Sequence, residues 1–295
     1  MYTLEERVYR PPLEANSALL EVSLGCSYGK CTFCRYANGE TPLQLLPAEI
    51  LGDNLAEMAD EDIRGNRMYL LGGNVLAFKA KYLIDVFQYV QSYLPQITQF
   101  SMYGRADDVL HKTDSQLESL RQAGLHMVYI GVESGNREIL KNSRKGETPD
   151  QIVTALHKLD KMQIHYGLSS ILGLGGQEMW RRHALDTADL YNRVRPDSIR
   201  VMTLTAMPGT PLERNVQNGR FKPASPHTIL QEEALLLQNI RYADHDCWFA
   251  GTHVSNSVPI EGSLLTDKQK MLVILKKAIK AESDQSLQQS DLKEW

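Results

Sequence analysis

Cysteine is scarce in this chain, surplus positive charge is absent, and long apolar runs are missing. Only four cysteines occur in 295 residues, and three of them fall within nine positions. That is no disulfide framework, and it points to a compartment where thiols stay reduced, so the expected location is cytoplasmic. Lysine and arginine number 32 against 36 acidic residues, a net charge of −4. No broad basic surface advertises nucleic acid, and none is expected as a partner. The N-terminus, MYTLEERVYRPPLEANS, has no apolar signal core. No apolar run approaches the roughly 20 residues of a membrane span. The eight histidines include no HxxxH pair, so a second metal site has no support. What remains is ordinary, 42% hydrophobic and 23% charged. The length suits one large α/β barrel or two smaller domains, and a core of that size stands without disulfides.

The clustered cysteines lie in LGCSYGKCTFCRYAN, residues 24–38, and put Cys26, Cys31 and Cys34 in a CxxxxCxxC array. Thiolates so close can all reach one metal centre, and Gly25 and Gly29 let the backbone fold tightly around it. A structural zinc site normally closes with four ligands, and a ferredoxin cluster uses four cysteines. Three thiolates on a [4Fe–4S] cluster leave one iron open to a small molecule. The plainer alternative is a zinc knuckle completed by a distant histidine or by Cys247, although Cys247 also reads as a small buried apolar residue.

The rest of the chain repeats one unit. Strand-like runs begin near 18, 67, 97, 126, 164 and 197, each followed by an amphipathic helical stretch, among them 47–59, 79–94, 114–123, 149–163, 178–194 and 226–241. The pair Thr148-Pro149 is a good helix start. Strand then helix, six times, predicts parallel strands with crossover helices, a partial (β/α)6 barrel of the TIM type. The first interval exceeds the second by 19 residues, and that excess is the cysteine loop. In such barrels the chemistry sits at the carboxyl ends of the strands. There the sequence places the cysteines, Gly72-Gly73-Asn74, Tyr103 and Arg105, Glu133 and Ser134, the GLGGQE run at 173–178, and MPGTP at 207–211. The expected divisions are an irregular lead-in over 1–17, the barrel over 18–241, a C-terminal covering segment with its helix over 242–281, and a mobile tail over 282–295.

Taken together, residues 18 to 211 resemble the radical S-adenosylmethionine (SAM) superfamily, as separate stations in the right order. Within it, ESG, LGLGG and PGTPL resemble the branch of the anaerobic Mg-protoporphyrin ester cyclases, the oxygen-independent coproporphyrinogen oxidases and the methylthiotransferases. The resemblance implies a [4Fe–4S] cluster on Cys26, Cys31 and Cys34, with SAM chelated at the open iron. It implies reductive cleavage of SAM to a 5′-deoxyadenosyl radical that abstracts hydrogen from an organic substrate, with a tetrapyrrole or other carboxylated metabolite as the substrate that family proximity suggests. Phe33 matches the aromatic whose backbone faces adenine, and Gly72 and Gly73 the pair that receives the SAM amino group. Glu133 matches a ribose-binding polar residue. Ile171, Leu172 and Gly173 match the segment under the adenine ring, and Arg105 lies where a residue near the SAM carboxylate is expected. An electron donor such as flavodoxin or ferredoxin is implied as a partner, along with a small-molecule substrate. The chain departs from the family pattern in its extra residue between Cys26 and Cys31 and in Asn74, which stands where a glutamate is usual.

Residues 242–265 are expected to cover the open side of the barrel, with His253 and Asn256 facing the substrate, or else satisfying backbone groups in a covering strand. Arg181, Arg182 and His183 read as a surface basic patch. Rival readings are a haem or cofactor carrier without turnover, an iron–sulfur redox or sensing module, and a zinc-stabilised barrel.

Overall fold

The structure, a computed structural model, describes residues 10–39, 41–61, 63 and 65–284. Six parallel strands form where the sequence predicts them: β1 (Ala18–Glu21), β4 (Arg67–Leu71), β5 (Gln99–Gly104), β6 (Leu125–Glu133), β7 (His165–Leu172) and β8 (Ser198–Thr203). Two short strands, β2 (Ser23–Leu24) and β3 (Gln44–Leu45), pair antiparallel beside β1. The segment expected to cover the open side extends the sheet. Its β9 (Trp248–Ala250) joins β8 in parallel, and β10 (Glu261–Ser263) returns antiparallel at the edge, so the sheet has eight strands in the order β1-β4-β5-β6-β7-β8-β9-β10. Because all but β10 run the same way, their carboxyl ends share one rim. Of the expected tail, residues 282–284 end helix α10 (Lys268–Asp284), and 285–295 lie outside the described residues, as do 1–9 of the lead-in. Among the described residues no helix is long and apolar enough to cross a membrane.

Period-two alternation sorts the strand side chains into two cores. Met68, Leu70, Phe100, Met102, Val128, Ile130, Ile199 and Val201 pack outward against the helices. Inside the barrel a smaller cluster forms around Tyr69, Leu71, Met127 and Tyr129, joined by Leu19 and Tyr103. The crossover helices start where side chains cap them: α6 (Pro149–Lys161) has the Thr148–Gln151 capping box, and α9 (Pro226–Asn239) the Ser225 hydroxyl on the Thr228 amide. The lead-in closes the barrel floor. A 3-10 turn, Pro12–Glu14, buries Glu14, whose carboxylate accepts hydrogen bonds from the Tyr129 hydroxyl at 2.7 Å and from Ser17.

Helix α9 also buries two adjacent carboxyls, Glu232 and Glu233. The Glu233 carboxyl faces Gly251, where a Cβ would stand 2.5 Å from its Oε1, and that oxygen has no hydrogen-bond partner. Burial, reinforced by the charge of Glu232, pushes the Glu233 pKa up from 4.5 to about 8. The folded chain therefore holds a proton that the unfolded chain has released, and stability is lost as pH rises through that interval. Glu233→Gln is expected to leave the unfolding midpoint little changed near pH 5. By about pH 9 it should be stabilising by on the order of 3 kcal/mol, as read by thermal or urea unfolding across the pH range.

Candidate active site at the strand ends

The cysteine loop is closed at its base by β2 and β3, which pair Ser23 with Leu45 and Leu24 with Gln44. Gly25 turns into the loop at φ +72°, and a Cβ there would lie 2.5 Å from the Pro42 carbonyl oxygen, so only glycine fits. Three neighbouring elements then pin the loop. The Gly73 amide donates to the Gly25 carbonyl (3.1 Å), the Thr32 amide to Ser143 O (2.9 Å), and the Leu212 amide to Thr32 O (2.9 Å). The Tyr28 hydroxyl donates to Arg144 O at 2.9 Å. A Cβ on Gly73 would stand 2.4 Å from Gly25 O and 3.0 Å from the Cys26 Cβ, so the glycine turn after β4 lies flush against the first cysteine.

A buried charge network backs the loop. Lys145 lies between Glu133 (3.5 Å) and Glu147 (3.6 Å), and these two carboxylates outweigh the effect of burial and hold its pKa above the usual range. Arg105 grips Asp107 through two nitrogens (2.9 and 3.3 Å), donates to Lys145 O at 2.8 Å, and stacks 3.8 Å from the Tyr28 ring centroid. Burial pushes the Cys31 thiol up to about 11 and also raises Cys34, while Lys145 and Arg105 oppose the rise at Cys31. Two buried cations thus face thiols that become anionic when they bind metal.

Most of the expected residues gather on this rim. The Asn74 Nδ2 donates to Ser27 Oγ (2.8 Å), inside the cysteine loop. Glu133 ends β6 at φ +62°, a left-handed conformation rare outside glycine, and folds its carboxylate back over Gly131, where a Cβ would stand 2.2 Å from Oε1. Phe33 lies half-buried between Cys31 and Cys34. Others are placed differently from the expectation. Arg105 is walled in by its partners and acts as a brace for Tyr28 and Lys145. Leu172 points into the helix-side core, so of that pair Ile171 faces the interior. The Asn256 amide is fully engaged at the sheet end: Oδ1 accepts from Thr203 N and Oγ1, and Nδ2 donates to Val201 O and Gly251 O. This leaves it no spare group for a substrate. Cys247 precedes β9, beside Asp197 at the opposite rim, and so cannot complete a site on the loop. Among the described residues no three His, Cys, Asp or Glu side chains are set to share one metal ion. A cluster takes one thiolate per iron and does not require that convergence.

The chemistry of the rim suits the two groups named by the resemblance. Ser23 Oγ, Asn74 Oδ1 and Glu133 Oε2 are buried there without hydrogen-bond partners. They offer acceptors for an ammonium and for ribose hydroxyls, next to a trio of thiols. Lys145 and Glu147 escaped the sequence reading because NSRKGET looks like a solvated turn; Gly146, at φ +77° and tight against Tyr28, was the one cue. His183 is buried on α7 (Gly176–Asn192), not on a surface patch. Burial works against its charge, but Glu232 at 2.7 Å prevails and raises its pKa. Its Nε2 meets Glu133 O at 3.2 Å, and Glu232 Oε1 accepts from the Gly173 amide at 3.0 Å. One ion pair therefore clamps the ends of both β6 and β7.

Comparison with known proteins agrees with this geometry. A sequence profile described as the Radical SAM superfamily matches residues 20–188. A tRNA-2-methylthio-N(6)-dimethylallyladenosine synthase from Alteromonas mediterranea is 25% identical over 81% of this chain and 51% of its own. The chain thus spans about half the length of that curated relative. Among solved structures, a methylornithine synthase aligns with a TM-score of 0.56 at 18% identity, over 76% of this chain and 63% of that one. Coproporphyrinogen III oxidase from Escherichia coli aligns at 0.57 and 15%, over 77% and 53%. At those identities the likeness establishes the fold, a partial TIM-type barrel.

Removing one member of the clamp leaves the other buried and unpaired. His183→Leu alone is expected to cost about 3 kcal/mol in urea unfolding, and adding Glu232→Met should restore part of that loss.

Proposed function

The chain belongs to the radical SAM superfamily, whose cofactors are a [4Fe–4S] cluster and SAM, and on that premise we propose that Cys26, Cys31 and Cys34 hold the cluster and that the protein is a radical SAM enzyme acting on a small organic substrate. The observation that carries this reading is the loop itself: three thiols, pinned from three sides, at the rim where the parallel strands end. When bound, the pair supplies one-electron reductive cleavage of the SAM sulfonium, and with it a carbon radical able to remove a hydrogen atom from substrate.

The remaining roles belong to side chains. Lys145 and Arg105 balance the negative charge of the thiolates. Asn74 Oδ1, beside Gly72 and Gly73, accepts from the SAM amino group, and Glu133, held in its strained conformation by the clamp, accepts from the ribose hydroxyls. Phe33, Ile171 and the Gly173 turn line the adenine side, with Leu172 contributing backbone alone. The half-buried rim limits the access of water to the reacting carbon. Electrons come from an external one-electron reductant.

Anaerobic reconstitution followed by dithionite and SAM tests the assignment. The wild-type chain should bind about four irons per protein and form 5′-deoxyadenosine and methionine. Cys26→Ala, Cys31→Ala and Cys34→Ala should each lose both the iron and the products, whereas Cys247→Ala should retain its iron. SAM that binds without cleavage would instead make the chain a carrier.

A further inference from the structure

Below the rim, the interior of the barrel is built in layers that the strand register defines. Tyr103, Tyr129, Gly167, Ser198 and Trp248 share one level. At the next level toward the mouth stand Gly131, Ser169, Arg200 and Ala250. Arg200 faces inward because its neighbours Ile199 and Val201 are fully buried on the helix side. Ser169 and Ala250 on its level are small and leave space beside the guanidinium, whereas the Glu133 carboxylate, paired with Lys145, fills the place of a side chain on Gly131. Tyr103, Tyr129, Ser169, Arg200 and Trp248 line a cavity of about 30 Å³, closed beneath by Pro11, Pro12 and Leu13. That is room for roughly two waters, or for the two oxygens of a carboxylate.

The polar groups here are unbalanced. Among the described residues Arg200 has no ion-pair partner. Of the buried carboxylates that border the interior, Glu14 is held by Tyr129 and Ser17, Glu133 is held by Lys145, and Glu21 ends β1 in register with Leu71. The Tyr69 hydroxyl is completely buried and directed at Tyr103, whose hydroxyl in turn meets Arg200, and the two rings stand 5.8 Å apart. His253, beyond the end of β9, lies near enough to Arg200 that its pKa is lowered, by burial first and by the Arg200 charge second. Its Nδ1 accepts the Ser255 amide hydrogen, which puts the ring proton on Nε2. Aromatic walls, an uncompensated guanidinium and donor hydroxyls together form the recognition chemistry of an organic anion.

We propose that the substrate is a small metabolite bearing a carboxylate or phosphate, and that Arg200 anchors this anionic group in the barrel with Tyr103 and His253 beside it. The inference rests on the radical SAM reading of the rim above. A guanidinium fork fixes a carboxylate or phosphate in two directions and so sets which carbon–hydrogen bond of the substrate points toward the mouth.

The test uses the reconstituted full chain, left unreduced, with each anion equilibrated before SAM is added to saturation, so that both the interior and the rim can fill. Sodium phosphate and sodium acetate are titrated separately against sodium chloride at equal ionic strength, and the thermal unfolding midpoint is followed. At least one anion should raise the wild-type midpoint beyond chloride, with phosphate marking a phosphorylated substrate and acetate a carboxylated one. Arg200→Met should weaken the apparent affinity at least roughly ten-fold, Arg200→Lys should weaken it less, and the surface variant Arg193→Gln should not alter it. A response that survives in both Arg200 variants, or no response to either anion, overturns the proposal. Formation of 5′-deoxyadenosine by the wild-type chain is scored separately. An Arg200-dependent anion response without SAM cleavage would retain the anion site and reject the radical SAM reading.

Discussion

Sulfur atoms that must become negative cannot be placed in a half-dry pocket unless positive charge meets them, and in this chain Lys145 supplies it. Its ammonium is buried between Glu133 and Glu147, and its carbonyl is held by Arg105. Arg105 in turn stacks on Tyr28, which belongs to the cysteine loop. Three segments distant in sequence therefore depend on one another through charge. A buried lysine without its two carboxylates would lose its proton, and carboxylates without the lysine would gain one. The network is high in cost and ion-paired throughout, with Glu133 Oε2 left free of a hydrogen bond, as expected where a site must be rigid before it is loaded.

The architecture was plain in the sequence because it follows from local pattern. Six strand–helix units announce themselves by periodicity, Ser, Thr and Pro mark the helix starts, and the cysteine loop stands out as an insertion. What escaped were interactions that no local pattern encodes. β9 is only three residues, WFA, too short to show alternation, and it is defined by pairing with β8. His183 and Glu232 look like ordinary solvated helix residues. They are buried because each is the partner of the other across 49 positions. Asn256, expected either to face the substrate or to satisfy backbone groups, does the second: it staples β8 to the turn after β9. Polar residues near a rim divide between ligand and scaffold by where their hydrogen bonds go, and sequence does not record that.

Local rules are broken at one notable place. Glu133 takes a left-handed backbone conformation at the end of an otherwise regular strand, with a shift in register just before it. Strain of roughly 1–3 kcal/mol at such a position persists only where the surroundings over-determine it. Here the surroundings are identifiable: His183 on the main-chain oxygen, Lys145 on the side chain, and Gly131 with no Cβ to resist the folded-back carboxylate. A residue bent against its own preference at a strand end, and braced from outside the barrel, fits the pattern of a scaffold that gives up local comfort for a functional pose.

The stoppered floor has a consequence for traffic. With the prolines of the lead-in and the Glu14–Tyr129 bond beneath, an anion seated at Arg200 has entered past the cysteine rim, through the opening that the nucleoside will also fill. Two guests sharing one doorway must queue. On the anion reading, the deeper guest would enter first and leave last, an order imposed by the short turn that walls its site from below.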